Sequence, residues 1–253
     1  MKLKRIMPLF LLKGTRLVKG VRFRQFVDVG DPLSQAMIYD AQGADEIIIV
    51  DIEASQKGRL IDGDLISAII RKTRLPIAAG GGIKTVEDGR ACFRAGADKI
   101  VINTHAVCTP GLIRDLADEF GRQAVVVSID VSCDGNAAYV PYIYSGSKSV
   151  SVPLEELLDS CIQHGAGEIV LTAINREGTL SGFENKLYAG VRDRISVPLI
   201  ASGGCGCYDD MAGLFHSVDV DGCALGTMLS LRDYDIVRIK AYLTGEKILL
   251  RES

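Results

Sequence analysis

The feature that most constrains this chain is a pattern written twice, about 122 residues apart. Gly-Ala-Asp-Glu at 43–46 runs into Ile47, Ile48, Ile49 and Val50, and Gly-Ala-Gly-Glu at 165–168 runs into Ile169, Val170 and Leu171. Pro76-Ile77-Ala78 leads to Gly81 and Gly82, as Pro198-Leu199-Ile200 leads to Gly203 and Gly204. Asn103-Thr104 and Gly226-Thr227 close the two units. Half a (β/α)8 barrel has this length, and a full barrel needs about 250 residues. The 253 residues are therefore expected to form one α/β TIM barrel with half-barrels at about 1–122 and 123–253. Two copies of a glycine turn imply two equivalent sites across a pseudo-twofold axis.

Short apolar runs alternating with amphipathic stretches support a parallel sheet. Strands are predicted near 5–12, 46–51, 76–80, 99–103, 124–130, 168–173, 197–202 and 221–226. Helices are predicted at 32–42, 60–73, 85–95, 109–120, 153–164, 184–193, 208–216 and 233–243. Asp31-Pro32, Thr85 with Asp88, and Thr109-Pro110 supply helix-start signals. Long loops remain at 13–31 and 131–152, after strands one and five, where barrel enzymes carry lids over the catalytic face.

Composition narrows the classes. A 47% hydrophobic content without tryptophan suits a Val/Ile/Leu-rich α/β core. A net charge of −3 with scattered Lys and Arg carries no nucleic-acid footprint. Seven cysteines without a CxxC pair favour reduced thiols and a cytoplasmic setting. The apolar run after Pro8 is only four residues before Lys13, which reads as a strand rather than a leader, and no segment is long enough to span a membrane.

Gly80-Gly81-Gly82 with Asn103-Thr104, and Ser202-Gly203-Gly204 with Gly226-Thr227, fall at the C-terminal ends of strands three, four, seven and eight. Glycine admits an anion to backbone N–H groups, and a following helix adds its dipole. Tight turns alone would also use these glycines, but the duplication favours a ligand with a phosphate at each end. Asp130 ends strand five, either as an acid–base group or as a loop cap; its repeat counterpart at the end of strand one is Leu11. Asp51 ends strand two and is a further binding or proton-transfer candidate, with Ala173 as its mate. Lys13, Arg16 and Lys19 populate the first long loop, suited either to an anionic substrate or to solvent. His105, His164 and His216 lack metal-ligand spacing, so neither metal nor cofactor is expected. Cys205-Gly206-Cys207 is read as incidental, with a redox role left open. At the opposite end, Arg5, Glu46, Lys99 and Glu168 open strands one, two, four and six and would form a floor ring of alternating sign.

These motifs resemble, over essentially the whole chain, the cyclase subunit (HisF) of imidazole glycerol phosphate synthase. Lys-Arg-Ile-Met-Pro at 4–8, Leu-Val-Lys-Gly at 17–20, Gly-Asp-Pro at 30–32, Gly-Gly-Gly-Ile-Lys-Thr-Val-Glu-Asp at 80–88 and Gly-Ala-Asp-Lys at 96–99 carry the resemblance. It implies a barrel paired with a glutaminase (HisH-like) as a heterodimer. Ammonia would pass along the axis and react at the top with a bisphosphorylated ribonucleotide, giving imidazole glycerol phosphate and AICAR. Arg5, Glu46, Lys99 and Glu168 then match the ammonia gate, and Asp98 the glutaminase interface. Lys19, Asp51, Gly81, Gly82, Asn103, Thr104, Thr172, Gly178, Ser202, Gly203, Gly204, Gly226 and Thr227 form the expected substrate and phosphate set. Asp130 matches one of two catalytic carboxylates.

Two motifs depart from the family. Leu9-Phe10-Leu11-Leu12-Lys13 stands where the family has Cys-Leu-Asp-Val-Lys, so Leu11 replaces the other catalytic aspartate. Asn175-Arg176-Glu177-Gly178-Thr179 stands for Asp-Arg-Asp-Gly-Thr. A leucine cannot move a proton, and such assistance is worth about 10²–10⁴-fold. Leu11-Leu12-Lys13 in strand one resembles a paralogous branch found with surface-polysaccharide genes, and the leading expectation that this resemblance implies is a paralogue supplying ammonia to a separate sugar amidotransferase for lipopolysaccharide. The alternative is the histidine-pathway cyclase itself.

Overall fold

A computed structural model describes residues 3–133 and 138–251. Twelve strands occur among them: β1 (Arg5–Lys13), β2 (Arg16–Val21), β3 (Arg24–Gly30), β4 (Ile47–Asp51), β5 (Ile77–Gly80), β6 (Lys99–Ile102), β7 (Val125–Cys133), β8 (Tyr139–Ile143), β9 (Lys148–Ser149), β10 (Glu168–Ala173), β11 (Leu199–Ser202) and β12 (Gly222–Leu225). Parallel pairing runs β10-β11-β12-β1-β4-β5-β6-β7, and β7 pairs β10 from Val126↔Glu168 to Val131↔Ala173. That last pairing closes an eight-stranded (β/α)8 barrel.

Alternation along each strand divides the apolar residues between two cores. Met7, Leu9, Ile48, Ala78, Val101, Val126, Val170, Ile200 and Ala224 fill the lumen, with Leu11 and Val50 packed against them. Residues of the other parity, such as Ile6, Ile47, Ile49, Ile100 and Val127, join the larger core beneath the surrounding helices. Several helices begin where side chains satisfy the first free amides. Asp31 accepts from the Ser34 amide ahead of Pro32–Ala41, and Thr85 with Asp88 forms a reciprocal cap on Val86–Arg94.

The structure corrects three expectations. The stretches read as loops at 13–31 and 131–152 carry antiparallel hairpins: β2 and β3 extend from β1, and β8 and β9 extend from the long end of β7. Sequence alternation is weak there because these strands lie over the barrel mouth instead of in its wall. Thr104 and Thr227 do not end strands; they open the short helices Thr104–Cys108 and Thr227–Leu231. The helix expected over 60–73 is shorter, Gly63–Ile70 with Asp62 as its cap, and an unexpected short helix, Ala54–Lys57, precedes it and ends where Gly58 turns at φ +64°. No helix among the described residues is long and apolar enough to cross a membrane.

Candidate active site

At the floor, four charges close the lumen. Arg5 reaches Glu46 Oε2 at 3.1 Å and Glu168 Oε2 at 3.2 Å, while Lys99 Nζ reaches the same two oxygens at 2.8 and 3.0 Å. Each cation thus bridges both anions. Only one oxygen of each carboxylate is used; Oε1 of Glu46 and of Glu168 are buried without a hydrogen-bond partner in the described structure. Burial pushes the Glu46 carboxyl above the usual range against the pull of Lys99. Asp98 lies beside this ring, exposed, with Oδ2 accepting the Ile77 amide at 2.8 Å. Asp45 and Asp221 cap the Ile6 and Leu199 amides in the same way, so these aspartates tie the starts of neighbouring strands together.

At the other end the lumen turns polar. Stepping by two along each strand leads from the floor ring through the apolar plug to Leu11, Asn103, Asp130 and Thr172, which line one cavity of about 90 Å³. Asn103 Nδ2 donates to Asp130 Oδ2 at 2.9 Å and to the Ser128 carbonyl at 3.0 Å. Burial pushes the Asp130 carboxyl up to about 7, against the hydrogen bonds from Asn103 and Thr172. It is thus poised to give or take a proton near neutrality. Leu11, where the family motif has aspartate, presents an apolar side chain to the same cavity.

The glycine turns have matching geometry. Gly81 and Gly82 adopt φ +127° and +77°, and Gly203 and Gly204 adopt +96° and +104°. A Cβ on Gly82 would lie 1.8 Å from the Arg59 carbonyl oxygen, and one on Gly204 would lie 2.2 Å from that of Gly182. Near the second turn, Ser202 Oγ and Thr227 Oγ1 are buried without a partner, consistent with a site built to receive acceptor atoms. The first turn differs, because Thr104 Oγ1 already accepts the Tyr144 amide at 3.1 Å.

Lys19 departs from the picture of a mobile loop cation. On β2 it is 2% exposed, donates to the Leu9 carbonyl at 2.6 Å, and would meet any Cβ on Gly226 at 2.4 Å. Burial pulls its amine down to about 8, opposed by Glu177. Lys13 and Arg16, grouped with it from the sequence, lie outside, near Glu53 and Asp28. Asp51 is buried and holds Arg59 Nη1 at 2.5 Å, while its Oδ1 caps the Glu53 amide.

Sequence reasoning missed the parts played by four residues. Glu177, which in the sequence differs from the family motif only as one acid from another, is a buried carboxylate lining the same cavity as Asp130 and Leu11. Phe23 and Phe26, from the β2–β3 hairpin, roof that cavity. Asn175, in the same departing motif as Glu177, is a clasp: its Oδ1 accepts from Ser132 Oγ and the Cys133 amide, and its Nδ2 donates to the Cys133 carbonyl. Only the loop lengths hinted at these roofing contacts. Cys205 packs against Met228 in the core and its thiol is pushed well up by burial, which suits the incidental reading.

Comparison with known proteins gives a consistent picture. The model of the family described as histidine biosynthesis protein matches residues 5–235. A Bacillus licheniformis protein named imidazole glycerol phosphate synthase subunit HisF is 38% identical over 98% of this chain and 99% of its own length. Proteins of the same name from Alkaliphilus metalliredigens and Lactococcus lactis subsp. cremoris are 37% and 36% identical, covering 98% and 96% of those relatives.

Proposed function

The chain belongs to the HisF family of histidine biosynthesis proteins, and from that premise we propose that it is the synthase subunit of a two-protein glutamine amidotransferase. Ammonia released by a HisH-like glutaminase enters at the ring of Arg5, Glu46, Lys99 and Glu168 and crosses the apolar lumen. It reacts at the mouth with an acceptor carrying two phosphates. The observation that carries this reading is axial: ring, apolar plug and Asp130 lie in register on the same strand faces. Apolar lining suits neutral ammonia and rejects hydrated ions, which lose too much solvation there. The Gly81–Gly82 and Gly203–Gly204 turns would hold the two phosphates through backbone amides, aided by Ser202, Thr227 and Gly226, with Gly178 keeping the adjoining loop close. On this reading Asp98 belongs to the glutaminase face. The acceptor is the bisphosphorylated ribonucleotide of histidine biosynthesis, cyclised to imidazole glycerol phosphate and AICAR.

One residue favours a second reading. Leu11 leaves the strand-one position of the mouth without a proton-transfer group, which suits a paralogue that passes ammonia to a separate sugar amidotransferase in surface-polysaccharide synthesis. Glutamine labelled with ¹⁵N in its side-chain amide, supplied to the reconstituted pair with the ribonucleotide, separates the two. Label in imidazole glycerol phosphate supports the cyclase; label released only as free ammonium, with the ribonucleotide intact, supports the paralogue. Failure of the chain to bind a HisH-like glutaminase or to use its ammonia would overturn both.

A further inference from the structure

We propose that Glu177 is the second proton-transfer carboxylate of the mouth, standing in for the group that Leu11 does not provide, with the buried Lys19 as its counter-charge. The proposal rests on the reading that ammonia reaches this mouth, and it names which of the chain's own groups complete the chemistry there.

The position of Glu177 is tightly built. Just beyond β10, its amide donates to the carbonyls of Ala173 and Ile174 at 3.0 and 3.2 Å, and its own carbonyl accepts the Arg22 amide at 2.8 Å. Gly178 follows at φ +73°, where a Cβ would lie 2.1 Å from the Gly20 carbonyl oxygen. The loop after β10 is therefore locked to the hairpin that carries Lys19. The side chain turns inward: Glu177 is 6% exposed and lines one cavity with Leu11, Asp130 and Thr172. Its Oε1 is buried without a hydrogen-bond partner in the described structure. Keeping a carboxylate oxygen there is unfavourable for stability, and such exceptions concentrate where a group has work to do on a ligand.

The two carboxyls have different surroundings. Asp130 is held by neutral donors, Asn103 and Thr172, and titrates near neutrality, as a general acid should. Glu177 is raised by burial, but the Lys19 charge favours its ionised form, and the Glu177 charge in turn pushes up Asp130 and the Tyr188 phenol. Divergent environments of this kind divide a pair into acid and base. In the reaction, the ammonia nitrogen bonds to a carbonyl carbon of the acceptor as the C=O π pair moves to oxygen. Asp130 gives its proton to that oxygen, and Glu177 takes one from the nitrogen. The product is a neutral carbinolamine, and proton transfer from Glu177 to Asp130 restores the starting state.

The test uses the full chain with ammonium chloride in place of glutamine, so a failed glutaminase contact does not affect it. The probe is the bisphosphorylated ribonucleotide of histidine biosynthesis. Glu177→Gln is expected to lower kcat by about 10²–10⁴-fold with KM changed only a few-fold, and to abolish the rising limb of the pH–rate profile. Glu177→Asp should recover part of the rate, and Leu11→Asp should suppress the Glu177→Gln defect by restoring a carboxylate to the mouth. A Glu177→Gln rate equal to wild type, or a defect that Leu11→Asp leaves untouched, would overturn the proposal. If the wild-type chain does not turn this acceptor over, ¹³C-carboxyl NMR decides. The Glu177 resonance, identified by its loss in Glu177→Gln, must titrate above the usual range and shift when Asp130→Asn is introduced. A Glu177 titration in the ordinary range, indifferent to Asp130→Asn, would sink the assignment whatever the acceptor.

Discussion

Asn103 Nδ2 lies 2.9 Å from Asp130 Oδ2, a contact that joins the residue following β6 to the upper half of β7 and fixes the carboxyl at the top of the lumen. Because the donor is neutral, it only partly offsets burial, and the carboxyl is held near 7. The group's folded-state value therefore lies above its unfolded value of about 4. Such a group stabilises the fold, relative to its ionised form, below the unfolded value, and this is lost as pH rises through the folded value near 7.

Asp130→Asn keeps an acceptor for Asn103 and removes the titration. The variant should be more stable than wild type at pH 8, by on the order of 2–4 kcal/mol from a shift of about three units. The difference should shrink as pH falls below 7 and vanish near pH 4. Urea denaturation across this range is the measurement, and an unchanged gap at all pH values would rule out the buried titration. The same variant should lose about 10²–10⁴-fold in ammonia-dependent turnover.

The two glycine turns should respond alike in binding and alike in fold. Gly82→Ala sets a Cβ 1.8 Å from the Arg59 carbonyl oxygen at φ +77°, and Gly204→Ala sets one 2.2 Å from that of Gly182 at φ +104°. The left-handed backbone alone costs about 1–2 kcal/mol, and the clash forces the turn open. Each variant should show a lower Tm and weaker binding of inorganic phosphate at its own turn by NMR, with the opposite turn unaffected. Equal loss at both turns would mean that the anions share one site.

Much of this architecture was legible because it rests on period and repetition. The alternation in Arg5, Met7 and Leu9, and in Glu46 and Ile48, gives the wall strands, and the 122-residue spacing gives their number. The hairpins were not legible because Arg22, Phe23 and Gln25, and Tyr144 with Ser145, turn the chain with positive φ without glycine at those positions. Nor was Glu177: its burial depends on Gly20, Arg22 and Lys19, residues about 150 positions away in sequence that meet it only once the β2–β3 hairpin folds over the mouth. Lys19 was found for the same reason in reverse, as a motif residue whose buried setting no local signal discloses.

The floor ring is a single network, so its members should not be independently removable. Lys99→Met leaves Arg5 alone to hold two nearly buried carboxylates whose Oε1 atoms are already unpartnered. Stranding charge in this way typically costs about 3–5 kcal/mol. Adding Glu168→Gln, which removes one of the anions, should recover part of that loss, giving a non-additive double-mutant cycle. Additive effects in urea denaturation would show that the ring is relaxed by solvent instead.

Asn175 offers the last prediction, because it stands where the family motif has aspartate yet serves here as a two-way clasp. Its Oδ1 accepts from Ser132 Oγ at 2.9 Å and from the Cys133 amide at 2.7 Å, and its Nδ2 donates to the Cys133 carbonyl at 3.3 Å. Asn175→Asp keeps the two accepted bonds but sets a carboxylate oxygen against that carbonyl, with both now acceptors. Losing a donor at a part-buried carbonyl and adding this repulsion should cost about 1–3 kcal/mol. The cost should be local: amide exchange should accelerate where β7 extends toward β8, while the lumen strands stay protected. Restoring the family's residue here would therefore weaken this chain, and a variant as stable as wild type with unchanged exchange would show that Nδ2 contributes nothing to the clasp.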